Sequence, residues 1–319
     1  MYLQYIPTYM EEDKLPYISV IITAYNRKEF LLNAIKSALN QTTDKKYYEI
    51  IVIKNFTDEN IDDFINKNNI KNILMDGTVG EFLAKGISEA NGEIISFLDD
   101  DDLFFENKLE VVYNKFKKDN NIVYYHNSCI PINKNMKNVN IDFMPTTPDF
   151  NMSSISIKKS IVKINKANKI NMSQDILMYL YALESNKKIL IEEEKLTYYM
   201  VHDSATNIVS NNFEEYRKFV LTKSNLILDG FKICTNAVQS QKAVNYINWR
   251  ITSVQMDRYI FGSTEIPSKL INYMINSTDS LKYRVELIFA YMLIRIYPKS
   301  RKYISNKIWT NHSKQANEI

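Results

Sequence analysis

Ile94-Ile95-Ser96-Phe97-Leu98-Asp99-Asp100-Asp101-Asp102 is the stretch whose reading decides the fold. Five residues dominated by bulky apolar side chains read as a buried strand, and four carboxylates follow where that strand should end. Adjacent negative charges repel one another unless something positive sits among them. A divalent cation such as Mg²⁺ or Mn²⁺ meets that need, because hard ions take oxygen ligands and usually hold substrate phosphates as well. The same residues also read as an acidic loop capping the next helix, since aspartate is favoured at helix N-termini. The choice rests on the surrounding sequence.

Upstream, the chain alternates. Tyr17 to Tyr25 is β-branched and almost continuously apolar, as expected of a strand buried on both faces of a parallel sheet. Asn26-Arg27 breaks the run, and Leu31, Ile35, Ala38 and Leu39 recur at helical spacing. A second strand, Glu49 to Ile53, precedes Thr57-Asp58, which can cap a helix carrying Ile61, Phe64 and Ile65 on one face. A short third strand, Asn72 to Met75, leads through Gly77 and Gly80 into a helix with Leu83, Ile87 and Ala90. This alternation predicts an α/β fold with a mostly parallel sheet flanked by helices. Ligands in such sheets bind beyond the carboxyl ends of the strands, which places Thr23 to Arg27, Lys54 to Thr57 and Asp99 to Asp102 on one rim.

A dinucleotide site would place Gly-x-Gly-x-x-Gly after the first strand, where this chain has Thr23-Ala24-Tyr25-Asn26-Arg27. With only 6 glycines and no Gly-rich phosphate loop, a metal would have to carry the phosphates.

Downstream, Ile122 to His126 reads as a fifth strand, and Ser128 to Phe150 as a loop-rich connection containing Pro131, Pro145 and Pro148. Ser153 to Ile157 reads as a short strand. Ser173-Gln174-Asp175 precedes the helical run Ile176, Leu177, Tyr179, Leu180 and Leu183, so Asp175 falls in a first turn, where an aspartate commonly serves as a cap. Lys187 to Ile191 reads as a strand that passes through the acidic Glu192 to Glu194 into Leu196 to His202.

The chain of 319 residues, 45% hydrophobic and 24% charged, fits one large core plus an appendage. A net charge of +3, with the basic residues gathered in one tail and no nucleic-acid module, argues against nucleic-acid binding. Cys129 and Cys234 stand far apart without a CxxC or Cys/His cluster and read as buried thiols of a reducing compartment. Glu11, Glu12 and Asp13 stand where a secretory signal would be basic then apolar, and no stretch of about 18 apolar residues appears, so a cytoplasmic protein is expected.

Taken together, Ser19 to Arg27, Ile50 to Ile53, and Ala90-Asn91-Gly92-Glu93 running into Asp99-Asp100-Asp101-Asp102 resemble a family 2 glycosyltransferase of the GT-A fold, over roughly residues 17 to 205. The resemblance implies inverting, metal-dependent transfer of a sugar from a nucleotide diphosphate-sugar to an acceptor hydroxyl on a glycan or lipid-linked saccharide. It implies a GT-A catalytic domain over 1–207, and residues 208–319, outside the resemblance, are expected as a helical extension. Its D-x-D motif falls on Asp99 and Asp101, which would meet Mn²⁺ or Mg²⁺ and the donor's ribose, while Asp102 would cap the helix starting near Glu106 or Asn107. Thr23, Tyr25, Asn26, Arg27, Lys54, Asn55, Lys85, Asp99 and Asp100 would line the donor site. The family's Glu-Asp pair reads here as Gln174-Asp175, which makes Asp175 the expected general base. His202 stands where the family's Tyr-Arg-x-His ends, as a metal or phosphate ligand or as a rim histidine bonded to backbone, with Met200 replacing the arginine.

Two departures concern the donor. Lys54-Asn55-Phe56-Thr57 stands where the family presents an aspartate that reads the nucleobase, and a lysine cannot accept a hydrogen bond from a base imide. Lys54 would instead neutralise a phosphate or pair with an acidic neighbour. The family's Ala-Arg-Asn reads here as Leu83-Ala84-Lys85 before Gly86, leaving Lys85 in the arginine's stead. The donor nucleotide therefore stays open. Alternative readings are a nucleotidyltransferase on a similar sheet, and a non-catalytic sugar-nucleotide or glycan-binding relative.

Beyond residue 208, Phe213, Tyr216, Val220, Leu226 and Ile227 predict one helix, and Val244, Ile247, Ile251 and Val254 another. From 281 to 309, basic residues such as Lys282, Arg295, Lys299 and Lys302 interleave with Tyr283, Phe289, Tyr297 and Trp309 against Glu286 alone. The segment reads either as a peripheral contact with the anionic inner face of a membrane or as a helical cap with a solvated basic face.

Overall fold

A computed structural model describes residues 16–139, 147–202 and 212–316. In chain order the elements are β1 (Ile18–Ala24), α1 (Leu31–Leu39), β2 (Tyr48–Lys54), α2 (Glu59–Lys67), β3 (Lys71–Leu74), α3 (Val79–Glu89), β4 (Ile94–Asp99), β5 (Leu103–Phe104), α4 (Lys108–Lys118), β6 (Ile122–Ile132), β7 (Ile155–Lys158), α5 (Ile164–Ala167), α6 (Gln174–Ser185) and β8 (Lys188–Met200). The helices α7 (Phe213–Thr235), α8 (Gln241–Ile260), α9 (Leu270–Asn276), α10 (Leu281–Ile296) and α11 (Ser300–Ala316) follow. The expected boundary at 207/208 and part of the Ser128–Phe150 connection, Pro145 included, lie outside the described residues.

The strands form one sheet of order β3-β2-β1-β4-β7-β6-β8-β5. Strands β3, β2, β1 and β4 run parallel, β7 is antiparallel to both β4 and β6, and β8 returns parallel to β6. Because the chain steps outward from β1 to β3 and then crosses to β4 on the other side, strand order reverses between β1 and β4. Thr23 stands in register with Asp99 at that reversal, where open α/β sheets bind ligands.

Strand β1 shows why its sequence is almost wholly apolar. Ile18, Val20 and Ile22 join the cluster under α1, α2 and α4, whereas Ile21 faces the opposite cluster with α3, α6, α7 and α8. The second cluster runs without a break from the sheet into the C-terminal helices, taking in Phe231, Trp249 and Tyr291. The Asn91-Gly92 turn before β4 is set by a close approach. Gly92 donates its N–H to Ser19 Oγ at 2.9 Å, and a Cβ there would lie 2.6 Å from the Ser19 nitrogen. Glu49 ties the same point by accepting from Ser19 Oγ and Asn91 N–H, both at 2.6 Å.

The structure departs from the sequence expectation in places, first in that β6 continues to Ile132, so Ser128 to Ile132, expected as loop, are strand. The stretch read as a strand at Lys187–Ile191, leading through Glu192–Glu194 into Leu196–His202, is one 13-residue strand, Lys188–Met200. The acidic run between them is carried along the edge of β6 through register shifts, with Glu192 paired to Lys115 of α4 at 2.7 Å. Asp102 does not cap α4. The N-cap position belongs to Asn107, and Asp102, 1% exposed, accepts the Met200 N–H at 2.9 Å, fastening the acidic turn to the end of β8.

Candidate active site

Beyond the carboxyl ends of β1 and β4 lies a cavity of about 520 Å³. Thr23, Asp99, Asp149, Asp175, Tyr199 and Arg250 are among its lining residues. Three expected site residues, Thr23, Asp99 and Asp175, thus meet on one space although they come from β1, β4 and the first turn of α6.

Asp175 lies one residue into α6, and its Oδ1 accepts the Ile176 N–H at 2.8 Å. Burial, followed by the charge of Asp149, pushes its carboxyl up to about 7, so near neutral pH it is divided between acid and base forms. A group poised there fits proton abstraction. Burial raises Asp99 well above the usual carboxylate range, and the neighbouring aspartates add to the shift, Asp102 first. The cluster therefore favours any cation that can enter beside it.

Part of that charge is met by Arg27, at the start of the loop after β1. Its guanidinium forks onto Asp100, with Nε donating to Oδ2 at 3.0 Å and Nη2 to Oδ1, and Nη2 also lies 2.7 Å from Asp101 Oδ2. His202 Nε2 approaches the same Asp101 oxygen at 2.8 Å and stands 3.1 Å from Arg27 Nη1. His202 therefore joins the acidic cluster through its side chain, and Phe30 packs against its ring, with centroids 5.4 Å apart.

Among the described residues no group of three histidine, cysteine, aspartate or glutamate side chains is placed to hold a metal ion by itself. The donor set nonetheless fits Mn²⁺ or Mg²⁺. The Asp99 and Asp101 carboxylates offer hard oxygen ligands, with the softer His202 imidazole beside Asp101, and such ions characteristically complete their shell with substrate phosphates and water.

The other expected donor residues fall into different roles. Asn26, in a left-handed conformation at φ +54°, and Asn55 clasp each other, with Asn26 N–H to Asn55 Oδ1 at 2.9 Å and Asn55 Nδ2 to Asn26 Oδ1 at 2.6 Å. Tyr25 is exposed on the rim, edge-on to Phe82. Lys54 is not presented to a ligand: it is 1% exposed and pairs with Asp62 of α2 at 2.7 Å while donating to the Phe56 carbonyl at 2.6 Å. Lys85 pairs with Glu89 one turn along α3 at 2.7 Å and is not among the cavity-lining residues.

Residues that local sequence did not single out complete the cavity. Asp149, with a fully buried side chain, sits on the turn after Thr147. The turn is held by Tyr124 Oη donating to the Pro148 carbonyl and by His126 Nε2 against the Phe150 carbonyl at 2.7 Å. Arg250 Nε of α8 approaches Asp149 Oδ2 at 3.4 Å. Gly230 lets α7 close on the same region, since a Cβ there would meet the Met172 carbonyl at 2.3 Å. The one sequence signal for Asp149 is its place in a Pro-bearing loop, where functional residues concentrate. Arg250 gave none.

Residues 19–170 match the family described as glycosyl transferase family 2. The match begins on β1 and stops before Asp175. An uncharacterized glycosyltransferase of Rickettsia bellii is 39% identical over 116 residues, covering 35% of this chain and 16% of that protein. An uncharacterized glycosyltransferase of Rickettsia typhi, RT0329, is 27% identical over 313 residues, covering 84% and 95%. The chain spans 16% to 20% of the length of the first three curated relatives it matches. Among solved structures, S. aureus TarS 1-349 in complex with UDP-GlcNAc superposes with a TM-score of 0.51 at 12% identity, covering 94% of this chain and 91% of that one. That likeness gives the mixed α/β architecture. Residues 19–170, just under half of the chain, are thus similar to glycosyl transferase family 2.

Proposed function

We propose that the protein transfers a hexose, with inversion, from a nucleoside diphosphate-sugar to a hydroxyl of a saccharide acceptor, free or carried on a lipid. The observation that carries this reading is the convergence of Asp99 and Asp175 on one cavity at the strand-order reversal. Asp175 takes the proton from the acceptor hydroxyl. The oxygen then forms its bond to the anomeric carbon on the face opposite the leaving group, and the bond from that carbon to the diphosphate oxygen breaks with its electron pair leaving on the diphosphate. Asp99, Asp101 and His202 would hold Mn²⁺ or Mg²⁺, which neutralises the charge that gathers on the departing diphosphate. Arg27 keeps Asp100 and Asp101 oriented. TarS binding UDP-GlcNAc supports a UDP-sugar as the first donor to test. Lys54, occupied by Asp62, leaves recognition of the base to other groups on the rim.

A thermal-shift panel of UDP, GDP, dTDP and CDP, each with and without Mn²⁺, tests the reading on wild type and Asp101→Ala. A nucleotide at 100 times its dissociation constant adds about 2.7 kcal/mol to the folded state. Stabilisation by one nucleotide, dependent on metal and lost in the variant, is the expected result. A uniform lack of response would exclude the donor site.

A further inference from the structure

Among the described residues, twelve of the seventeen large apolar side chains that are exposed fall between Ile266 and Ile308. Their placement is regular. On α10, Leu281, Val285, Phe289, Met292 and Ile296 recur at intervals of 4, 4, 3 and 4 and so form one stripe along the outer face, Phe289 being 65% exposed. The opposite face carries Leu287, Tyr291 and Ile294, all buried against the rest of the protein. A helix that is apolar on two faces ordinarily has both covered. On α9, which packs beside α10, Ile271 and Ile275 point outward at i,i+4 spacing and are 77% and 72% exposed. A continuous run of such side chains marks an interaction surface rather than scattered surface apolarity.

Charge identifies the partner. The segment 281–309 holds seven basic residues against Glu286 alone. Lys282, Arg295, Lys299, Lys302 and Lys307 are exposed and form no ion pair among the described residues. Lys282 and Arg295 flank the α10 stripe on its two sides, and Lys299 lies just past its end. A second copy packed on this stripe by a two-fold axis would bring these cations against their own counterparts without an acid to meet them. An anionic bilayer accepts both features, taking the apolar stripe among its acyl chains and the flanking cations at its headgroups.

We propose that α9 and α10 are a docking surface for an anionic lipid bilayer, with α10 lying in the plane of the headgroups. No helix among the described residues is long and apolar enough to cross a membrane, so the contact is peripheral. The surface is coupled to the cavity by packing. Helix α10 lies on α8, the helix that supplies Arg250 and Val254 to the cavity wall. A bilayer held there stands one helix layer from the candidate site.

Vesicle flotation tests this without nucleotide or acceptor, so its outcome is independent of the transfer reaction. The full chain is mixed with phosphatidylcholine vesicles or with vesicles containing phosphatidylglycerol, at low and high salt, and compared with Val285→Glu/Phe289→Glu and with Lys299→Gln/Lys302→Gln/Lys307→Gln. Wild type should float with the anionic vesicles only and be released by salt. The lysine variant should bind about a hundredfold more weakly, from the loss of three surface cations, and the stripe variant at least tenfold more weakly. All five side chains are exposed, so unfolding temperatures should match wild type. Failure to float with anionic vesicles overturns the proposal, as does equal binding to both vesicle types. So does a dimer in light scattering that Val285→Glu/Phe289→Glu dissociates.

Discussion

Removing the positive charge of Arg250 tests whether α8 is part of the site or merely lies beside it. Asp149 has a fully buried side chain, neither of its oxygens has a hydrogen-bond partner among the described residues, and Arg250 lies 3.4 Å away as its ion-pair partner. Replacing both members of a buried pair is often nearly neutral, whereas removing one strands the other, at about 3–5 kcal/mol. The Arg250 side chain keeps 28% exposure, so solvent screens part of the interaction and the lower figure applies. Arg250→Met should therefore cost about 3 kcal/mol, which at about 2 °C per kcal/mol for a large chain lowers Tm by about 6 °C. Adding Asp149→Asn should restore most of that loss, giving a strong coupling in a double-mutant cycle. Arg250→Lys should restore part of it, because the contact is through one nitrogen. Urea unfolding followed by far-UV circular dichroism measures wild type, the two single variants Arg250→Met and Asp149→Asn, their double variant and Arg250→Lys. Additive losses, or a loss below about 0.5 kcal/mol in Arg250→Met, would refute the reasoning.

Three further predictions address the site. Asp175 loses its proton at about 7, and only the charged form can accept the acceptor's proton, so kcat/KM should rise with pH through about 7 and level off above it. Asp175→Asn should abolish that limb and lower kcat by about 10²–10⁴ while leaving nucleotide-induced thermal shifts intact; a retained limb would assign the base elsewhere. Lys54→Met should leave nucleotide affinity unchanged, since Lys54 is engaged by Asp62 and the Phe56 carbonyl, and should cost about 1–2 kcal/mol of stability as Asp62 keeps Asn72 and partial hydration. Isothermal titration with UDP separates the two effects. Gly230→Ala should cost about 1–3 kcal/mol by overpacking, and should slow turnover more than it weakens donor binding, because the displaced Met172 carbonyl lies three residues before the base.

The sequence revealed most where one physical demand dominated. Strands β1, β2 and β4 are buried on both faces, so their apolar runs could hardly be anything else, and the carboxylates after β4 marked the rim. The helical turn that carries Asp175 was legible from its apolar periodicity, which by itself gave the aspartate as a cap; its reading as the base came from the family resemblance alone. The charged middle of strand β8 gave no strand signal of its own; it stays in the sheet through a shifted register with β6 and the pairing of Glu192 to Lys115. The role of Asp102 was misread for a related reason: its partner is the Met200 N–H, 98 positions away, and an aspartate before a helix has a more obvious local use. Lys54 left two partners open, and Asp62, in the first turn of α2, is the one the fold supplies. Arg250 and Asp149 meet across 101 positions, and nothing in the local pattern of either announces the other.

That one pair also bears on how such a protein can be re-engineered. The turn carrying Asp149 and the helix carrying Arg250 come from opposite halves of the chain, so neither can be exchanged alone without leaving a charge inside the other's wall. A chimera made by grafting the C-terminal helices of a relative onto this sheet would need the residues 147–152 of the same relative to travel with them. Arg27, Asp100, Asp101 and His202, which bond to one another, could remain those of the recipient.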